Sequence, residues 1–143
     1  MNSEDACKFT DHICRLAPVI PVLVIEDATI AEPLAEALIS GGLPTLEVTL
    51  RSAAALDAIR AMSKVVGATV GAGTLLSGQD VRAAKEAGAV FGVSPGATDS
   101  LLQACEDCDM PLLPGAATAS EVMRLMEHGY RMQKFFPAEA SGG

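Results

Sequence analysis

The sequence has no tryptophan, one tyrosine and four phenylalanines among 143 residues. With aromatics at 3%, a core of large rings is ruled out, and Ala, Val, Leu and Ile must supply the packing. No apolar run reaches the roughly 18 residues that a membrane-spanning helix needs. The opening stretch MNSEDACKF lacks the basic-then-apolar pattern of a secretory leader, so a cytoplasmic location and no membrane partner are expected. Basic residues are also scarce. Ten Lys and Arg against 18 Asp and Glu leave a net charge of -8, and the basic face of a nucleic-acid binder is missing.

Histidines number two, His12 and His128, and no His/Asp/Glu cluster has metal-ligand spacing, so neither a metal nor a cofactor is expected. The first candidate strand is followed by Glu26-Asp27-Ala28-Thr29, not a GxGxxG loop, and no GxxxxGK[ST] occurs, which argues against a dinucleotide or P-loop fold. The four cysteines, Cys7, Cys14, Cys105 and Cys108, are expected to be reduced thiols without a secretory context. Cys105 and Cys108 have CxxC spacing but no second ligand pair, and they fall late in a helical stretch. They read as incidental.

What is present is a regular alternation. Apolar or β-branched runs lie at Val19–Ile25, Thr45–Thr49, Thr69–Gly71, Val90–Ser94, Pro111–Leu113 and Arg131–Phe136. Helical patterns lie between them at Ile30–Ser40, Ala53–Ser63, Gln79–Ala87, Asp99–Glu106 and Ala119–Glu127. Ser77, Thr98 and Thr118 are candidate N-caps, and Glu121 completes a capping box with Thr118. Gly41-Gly42, Gly88 and Gly129 stand where helices should stop. A strand every 20 to 26 residues is one βα unit, so the chain predicts a parallel sheet covered by helices in a single domain over residues 1–143. Polar residues recur at the C-terminal ends of successive strands, which favours a (β/α)8 TIM barrel over an open doubly wound sheet. Such a barrel has eight units and rarely fewer than ~200 residues. About six units are present here, so the sequence is expected to be part of one.

Two residues carry the chemistry. Glu47 shares a strand face with Thr45 and Thr49, and a carboxylate in mid-strand must be paired or line a cavity. It is either a structural partner of Arg51 or a general base tuned by burial. Lys134 stands in a strand beside Phe135 and Phe136. It is either a surface lysine on an edge or a desolvated amine able to attack a carbonyl. Arg51 has the planar fork that suits a carboxylate. The strand-end loops Gly71-Ala72-Gly73-Thr74, Pro95-Gly96-Ala97-Thr98 and Pro114-Gly115-Ala116-Ala117-Thr118 would let backbone approach a small ligand or would cap helices.

The segments Leu46-Glu47-Val48-Thr49-Leu50-Arg51, Val70-Gly71-Ala72-Gly73-Thr74, Val93-Ser94-Pro95-Gly96 and Lys134-Phe135-Phe136-Pro137-Ala138-Glu139 closely resemble the KHG/KDPG aldolases, from about Pro18 to Gly143. The resemblance implies a metal-independent class I aldolase on a (β/α)8 barrel, usually a homotrimer. Its substrate would be 2-keto-3-deoxy-6-phosphogluconate (KDPG), cleaved to pyruvate and glyceraldehyde 3-phosphate in the Entner–Doudoroff pathway, with 4-hydroxy-2-oxoglutarate as a side substrate. It implies Lys134 as the Schiff-base lysine, Glu47 as acid/base, Arg51 and Thr74 as pyruvate contacts, and Pro95 and Phe136 as lining residues. The chain departs from the pattern at Ala116-Ala117, where close relatives often have Ile-Ser, and it lacks the loops after strands seven and eight that hold substrate phosphate. Two alternatives stand beside this reading: an inactive barrel fragment serving as an assembly unit, and the galactonate-branch aldolase, which fits Thr49-Leu50-Arg51 less well.

Overall fold

The structure is a computed structural model that describes residues 3–143. It opens with helix α1 (Ser3–Arg15) and then alternates strands and helices. These are β1 (Val22–Leu23), α2 (Ala31–Ser40), β2 (Thr45–Thr49), α3 (Ala55–Met62), β3 (Thr69–Gly73), α4 (Gly78–Ala87), β4 (Phe91–Val93), α5 (Asp99–Asp107), β5 (Leu112–Leu113), β6 (Gly115–Ala116), α6 (Ala119–Glu127) and β7 (Lys134–Phe135). The five expected helices all form. The strand runs at Val19–Ile25 and Arg131–Phe136 shorten to two residues each. Helix α1 was not anticipated from the sequence. Its apolar residues Phe9 and Ile13 pack in the cluster with Phe91, Val93 and Leu113.

Every strand pairing is parallel, and the order β1-β2-β3-β4-β5 follows the chain without a switch point, with β6 paired to β7. A doubly wound sheet would reverse its order once; a barrel keeps sequential neighbours. β5 and β6 are one path interrupted at Pro114, which has no N–H to offer a ladder. On either side of it, Leu113 O accepts from Ser94 N–H at 3.2 Å and Pro114 O accepts from Lys134 N–H at 2.8 Å. The path therefore leaves β4 and picks up β7 within two residues.

The sheet has two unlike faces. Leu46, Val48, Val70 and Ala72 point to the helices and are fully buried with Ile59, Met62, Val81 and Leu102. The helix faces pressed on them are largely alanine (Ala31, Ala35, Ala55, Ala58, Ala84, Ala87), which is what lets the helices lie close. The inner face carries Thr45, Glu47 and Thr49, then Gly71 and Gly73, then Phe91 and Val93. At its N-terminal end Ile13 of α1 packs with Phe91, Val93 and Leu113, and Thr45 Oγ1 donates to Ile13 O at 3.2 Å. Gly71 sits opposite Phe91, and a Cβ there would run into the Phe91 ring.

The expected helix caps are all in place. Ser77 and Thr98 accept from Asp80 N–H and Leu101 N–H. Thr118 Oγ1 accepts from Glu121 N–H at 3.3 Å, while Glu121 Oε2 accepts from Thr118 N–H at 3.0 Å. Gly88 ends α4 at φ +103°, a left-handed position that suits a residue without Cβ. The four cysteines are free. Burial pushes the Cys105 thiol up to about 12, which makes it a poor nucleophile. Replacing Thr118 with Ala removes one half of the capping box. Urea unfolding of the full chain should show a loss of about 1 kcal/mol, with Thr118→Ser close to the parent. Equal stability for Thr118→Ala would mean that the box contributes nothing to α6.

Candidate active site

The residues picked out in the sequence converge at the C-terminal end of the inner face. Glu47 is central to β2 and its side chain is only 5% exposed. Thr45 and Thr49, on the same face, bond away to Ile13 O and Leu23 O and do not reach the carboxylate. Across the sheet, Lys134 Nζ lies 3.5 Å from Glu47 Oε1. That separation is an ion pair, longer than a well-made hydrogen bond, and Oε1 has no hydrogen-bond partner among the described residues. Burial pushes the Glu47 carboxyl above its ordinary value of 4.5, opposed in part by Lys134 and by the more distant Arg51. The expected structural partner, Arg51, is therefore the lesser one.

The lysine differs from expectation in one respect. Its side chain keeps 27% exposure and lies 5.2 Å above the centre of the Phe136 ring, a cation–π distance. It is flanked and paired, not sealed in an apolar pocket. Phe135, its other neighbour, points to the opposite face and is exposed. The Phe136–Pro137 peptide is cis.

Arg51 follows β2 and Thr74 follows β3. Arg51 Nε donates to Thr74 Oγ1 at 3.2 Å, so the two candidate carboxylate contacts are joined. Thr74 adopts φ +61°, a left-handed conformation that is costly for a β-branched residue. Such strain is found where function demands a set side-chain direction. Helix capping, the other role considered for Thr74, belongs to Ser77 instead. Pro95 ends the β4 strand path and is half-buried.

The glycines of the strand-end loops do something other than admit a ligand. A Cβ at Gly73 would overlap Glu47 Oε1, and one at Gly115 would overlap the Pro95 carbonyl. Gly73 thus makes the room in which the buried carboxylate lies, and Gly115 lets β6 close on Pro95. Gly73 is the positioning residue that the sequence reading missed. The signal in the sequence was limited to two glycines, Gly71 and Gly73, at alternate positions of one strand; the register, with Thr49 opposite Gly73 and Glu47 opposite Gly71, turns them toward the inward Glu. A buried carboxylate against a primary amine can exchange a proton with it, and an amine freed in this way can attack a carbonyl. Among the described residues no group of His, Cys, Asp and Glu could hold a metal ion, and no helix is long and apolar enough to cross a membrane.

Comparison with known proteins points the same way. The family model described as "KDPG and KHG aldolase" matches residues 10–143. The KHG/KDPG aldolase of Escherichia coli K12 is 49% identical over 134 residues, covering 93% of this chain and 63% of the relative. The crystal structure of the Zymomonas mobilis ZM4 2-keto-3-deoxy-6-phosphogluconate aldolase with 3-phosphoglycerate superposes with a TM-score of 0.91 at 51% identity, over 96% of this chain and 66% of that one. A Legionella pneumophila KDPG aldolase structure, with pyruvate captured at low pH as a covalent carbinolamine intermediate, gives 0.86 at 43% identity, over 92% and 64%. The chain thus spans a little under two thirds of the length of the curated relatives it matches.

Two variants test the geometry. Gly73→Ala should destabilise the fold by about 1–3 kcal/mol through overpacking and displace Glu47. A parent-like unfolding curve would show that the carboxylate has other room. The raised Glu47 value gives a pH signature. The folded chain holds that proton more tightly than the unfolded one, so the contribution is complete below pH 4.5 and is lost as pH rises through the raised value. Glu47→Gln should remove this decline and leave stability flat over the same pH range. Parallel stability–pH curves for parent and variant would contradict the assignment.

Proposed function

The chain belongs to the KDPG and KHG aldolase family, and we propose that it carries the Schiff-base centre of a class I aldolase acting on 2-keto-3-deoxy-6-phosphogluconate. The observation that carries this reading is the 3.5 Å approach of Lys134 Nζ to the buried Glu47 carboxylate. Their strands, β2 and β7, are separated by β3, β4 and the β5–β6 path.

Glu47 first takes a proton from Lys134, a transfer favoured by the upward push that burial gives the carboxyl. The amine lone pair adds to the C2 carbonyl of the 2-keto acid, Glu47 returns its proton to the carbinolamine hydroxyl, and loss of that hydroxyl as water leaves a protonated imine and an ionised Glu47. That cation accepts the electron pair of the C3–C4 bond as the bond breaks. The C4 hydroxyl gives its proton to Glu47, directly or through one water, and departs as the aldehyde, glyceraldehyde 3-phosphate. The enamine left on Lys134 takes a proton at C3, and water releases pyruvate and regenerates the amine. Proton transfer replaces the desolvation expected from sequence as the means of freeing the lysine. Arg51, held by Thr74, offers its guanidinium to the substrate carboxylate, and Pro95 and Phe136 line the site. 4-Hydroxy-2-oxoglutarate, with the same keto acid head, is a second substrate under this scheme. No step draws on a metal or cofactor. The reading includes a cytoplasmic enzyme of the Entner–Doudoroff pathway that assembles as a homotrimer.

Borohydride reduction of the full chain in the presence of pyruvate should add one reduced pyruvyl group to Lys134, located by peptide mass mapping. Lys134→Ala should give no adduct. Glu47→Gln should still trap but exchange the pyruvate methyl protons at least about 100-fold more slowly. The parent's exchange rate should fall with decreasing pH through a midpoint above 4.5. An adduct surviving in Lys134→Ala, or no adduct on folded parent chain, would overturn the reading.

A further inference from the structure

The path through β7 presents alternate residues to two layers. Met132, Lys134 and Phe136 face the inner side, where Met132 packs with Ile13, Phe91, Val93 and Leu113 and the Phe136 ring lies below Lys134 Nζ. Gln133 and Phe135 face the outer side. Register decides which set is which, and a slip of one residue would carry Lys134 to the outer side. The apolar pattern defends this register poorly, because Phe135 and Phe136 are consecutive and either ring could take the inner place. β7 itself is two residues long, with Lys134 N–H and Phe136 N–H donating to Pro114 O and Ala116 O. The inner contact adds little, since Lys134 Nζ stands 3.5 Å from Glu47 Oε1, beyond a well-made hydrogen bond.

Gln133 supplies the further constraint. Its Nε2 donates to Tyr130 O at 2.9 Å and to Val122 O at 3.3 Å. Both neighbours are carbonyl acceptors, so the amide has one workable orientation. Its Oε1 is buried without a hydrogen-bond partner among the described residues. An apolar side chain of the same size would avoid that cost, so the two donations are what the amide brings to this position. They tie the start of β7 to α6, which is itself fixed. Thr118 and Glu121 cap its start, Leu125 is buried in the core, and Arg124 pairs with Asp99 of α5. The turn that follows is closed as well, with Gly129 N–H on Met126 O and Tyr130 N–H on Leu125 O. If β7 slipped by one residue, the Gln133 side chain would swing inward and both donations would be lost.

The consequence reaches Glu47. The charged groups that act on its carboxyl are Lys134 and, less strongly, Arg51, and both oppose the upward push of burial. An amine that drifts from the carboxyl opposes that push less, so the proton stays on Glu47 to higher pH. The register of β7 therefore sets how the pair titrates as well as where the amine stands. Its catalytic meaning rests on the aldolase reading, while the contact itself is a property of the folded chain.

We propose that Gln133 is a positioning residue: by bonding Val122 O and Tyr130 O it locks the register of β7 and holds the Lys134 amine against Glu47. The measurement is a carbon-13 carboxyl NMR titration of the full chain, with the Glu47 signal assigned by its loss in Glu47→Gln. Gln133→Met keeps the side-chain length and removes both donors. The Glu47 midpoint should rise by at least about half a pH unit, toward its value in Lys134→Met, and borohydride trapping of pyruvate should slow about tenfold or more. Thr118→Ala, which weakens the far end of α6, should leave the midpoint where the parent has it. An unmoved midpoint or unslowed trapping in folded Gln133→Met, or the same rise in Thr118→Ala, would overturn the proposal. The parent gives an independent reading. Its Gln133 side-chain amide protons should exchange with solvent at least about tenfold more slowly than those of the exposed Gln79; equal exchange would overturn the proposal even where Gln133→Met does not fold. Trapping on the parent is scored separately: a folded parent without adduct sinks the aldolase reading and leaves the register lock standing.

Discussion

A carboxylate buried on the inner face of a sheet must be compensated by charge, by space and by a way to exchange its proton. Glu47 has all three from different parts of the chain. Lys134 supplies the charge from four strands away, and Gly73 supplies the space by having no side chain. Burial leaves the group more willing to hold a proton than an ordinary glutamate, and Oε1 lacks a hydrogen-bond partner among the described residues. The remaining site follows from that arrangement. Thr49 and Thr45 turn their hydroxyls to backbone carbonyls, so neither competes for Glu47, and Arg51 is drawn aside to Thr74.

The rest of the architecture answers to the scarcity of large side chains. Alanine on the helix faces brings α2, α3 and α4 close to the sheet, so Leu46, Val48 and Val70 are buried without aromatic help. Glycine has the matching role on the inner face. Gly71 yields to Phe91, Gly73 to Glu47 and Gly115 to the Pro95 carbonyl. Each absent Cβ is filled by one identifiable neighbour, and two of the three neighbours belong to the candidate site. Packing and chemistry are in this sense the same constraint at two of the three, and a methyl group added at Gly73 or Gly115 strikes both.

The curvature of the sheet brings the site together. A lysine and a glutamate on strands four steps apart can touch only if the sheet has already turned through about half of a small barrel. The contact between Lys134 and Glu47 is therefore a result of that curl.

Much of this was legible in the residues. The helix boundaries follow from Ser77, Thr98 and Thr118 at the starts and Gly88 and Gly129 at the ends, because caps and left-handed glycines act within a few residues of chain. The βα alternation, and hence parallel strands, follows from the periodicity of apolar side chains. Glu47 and Lys134 stood out because ionisable groups within apolar runs are expensive wherever the fold places them. What the sequence could not decide was distance. That Glu47 meets Lys134 and not Arg51, that Gly73 holds space for a carboxylate and not for a ligand, and that Ile13 of α1 closes the inner face all depend on contacts between residues 26 to 100 apart in the chain. Local propensity carries no information over such separations, and only the curl of the assembled sheet brings these groups together.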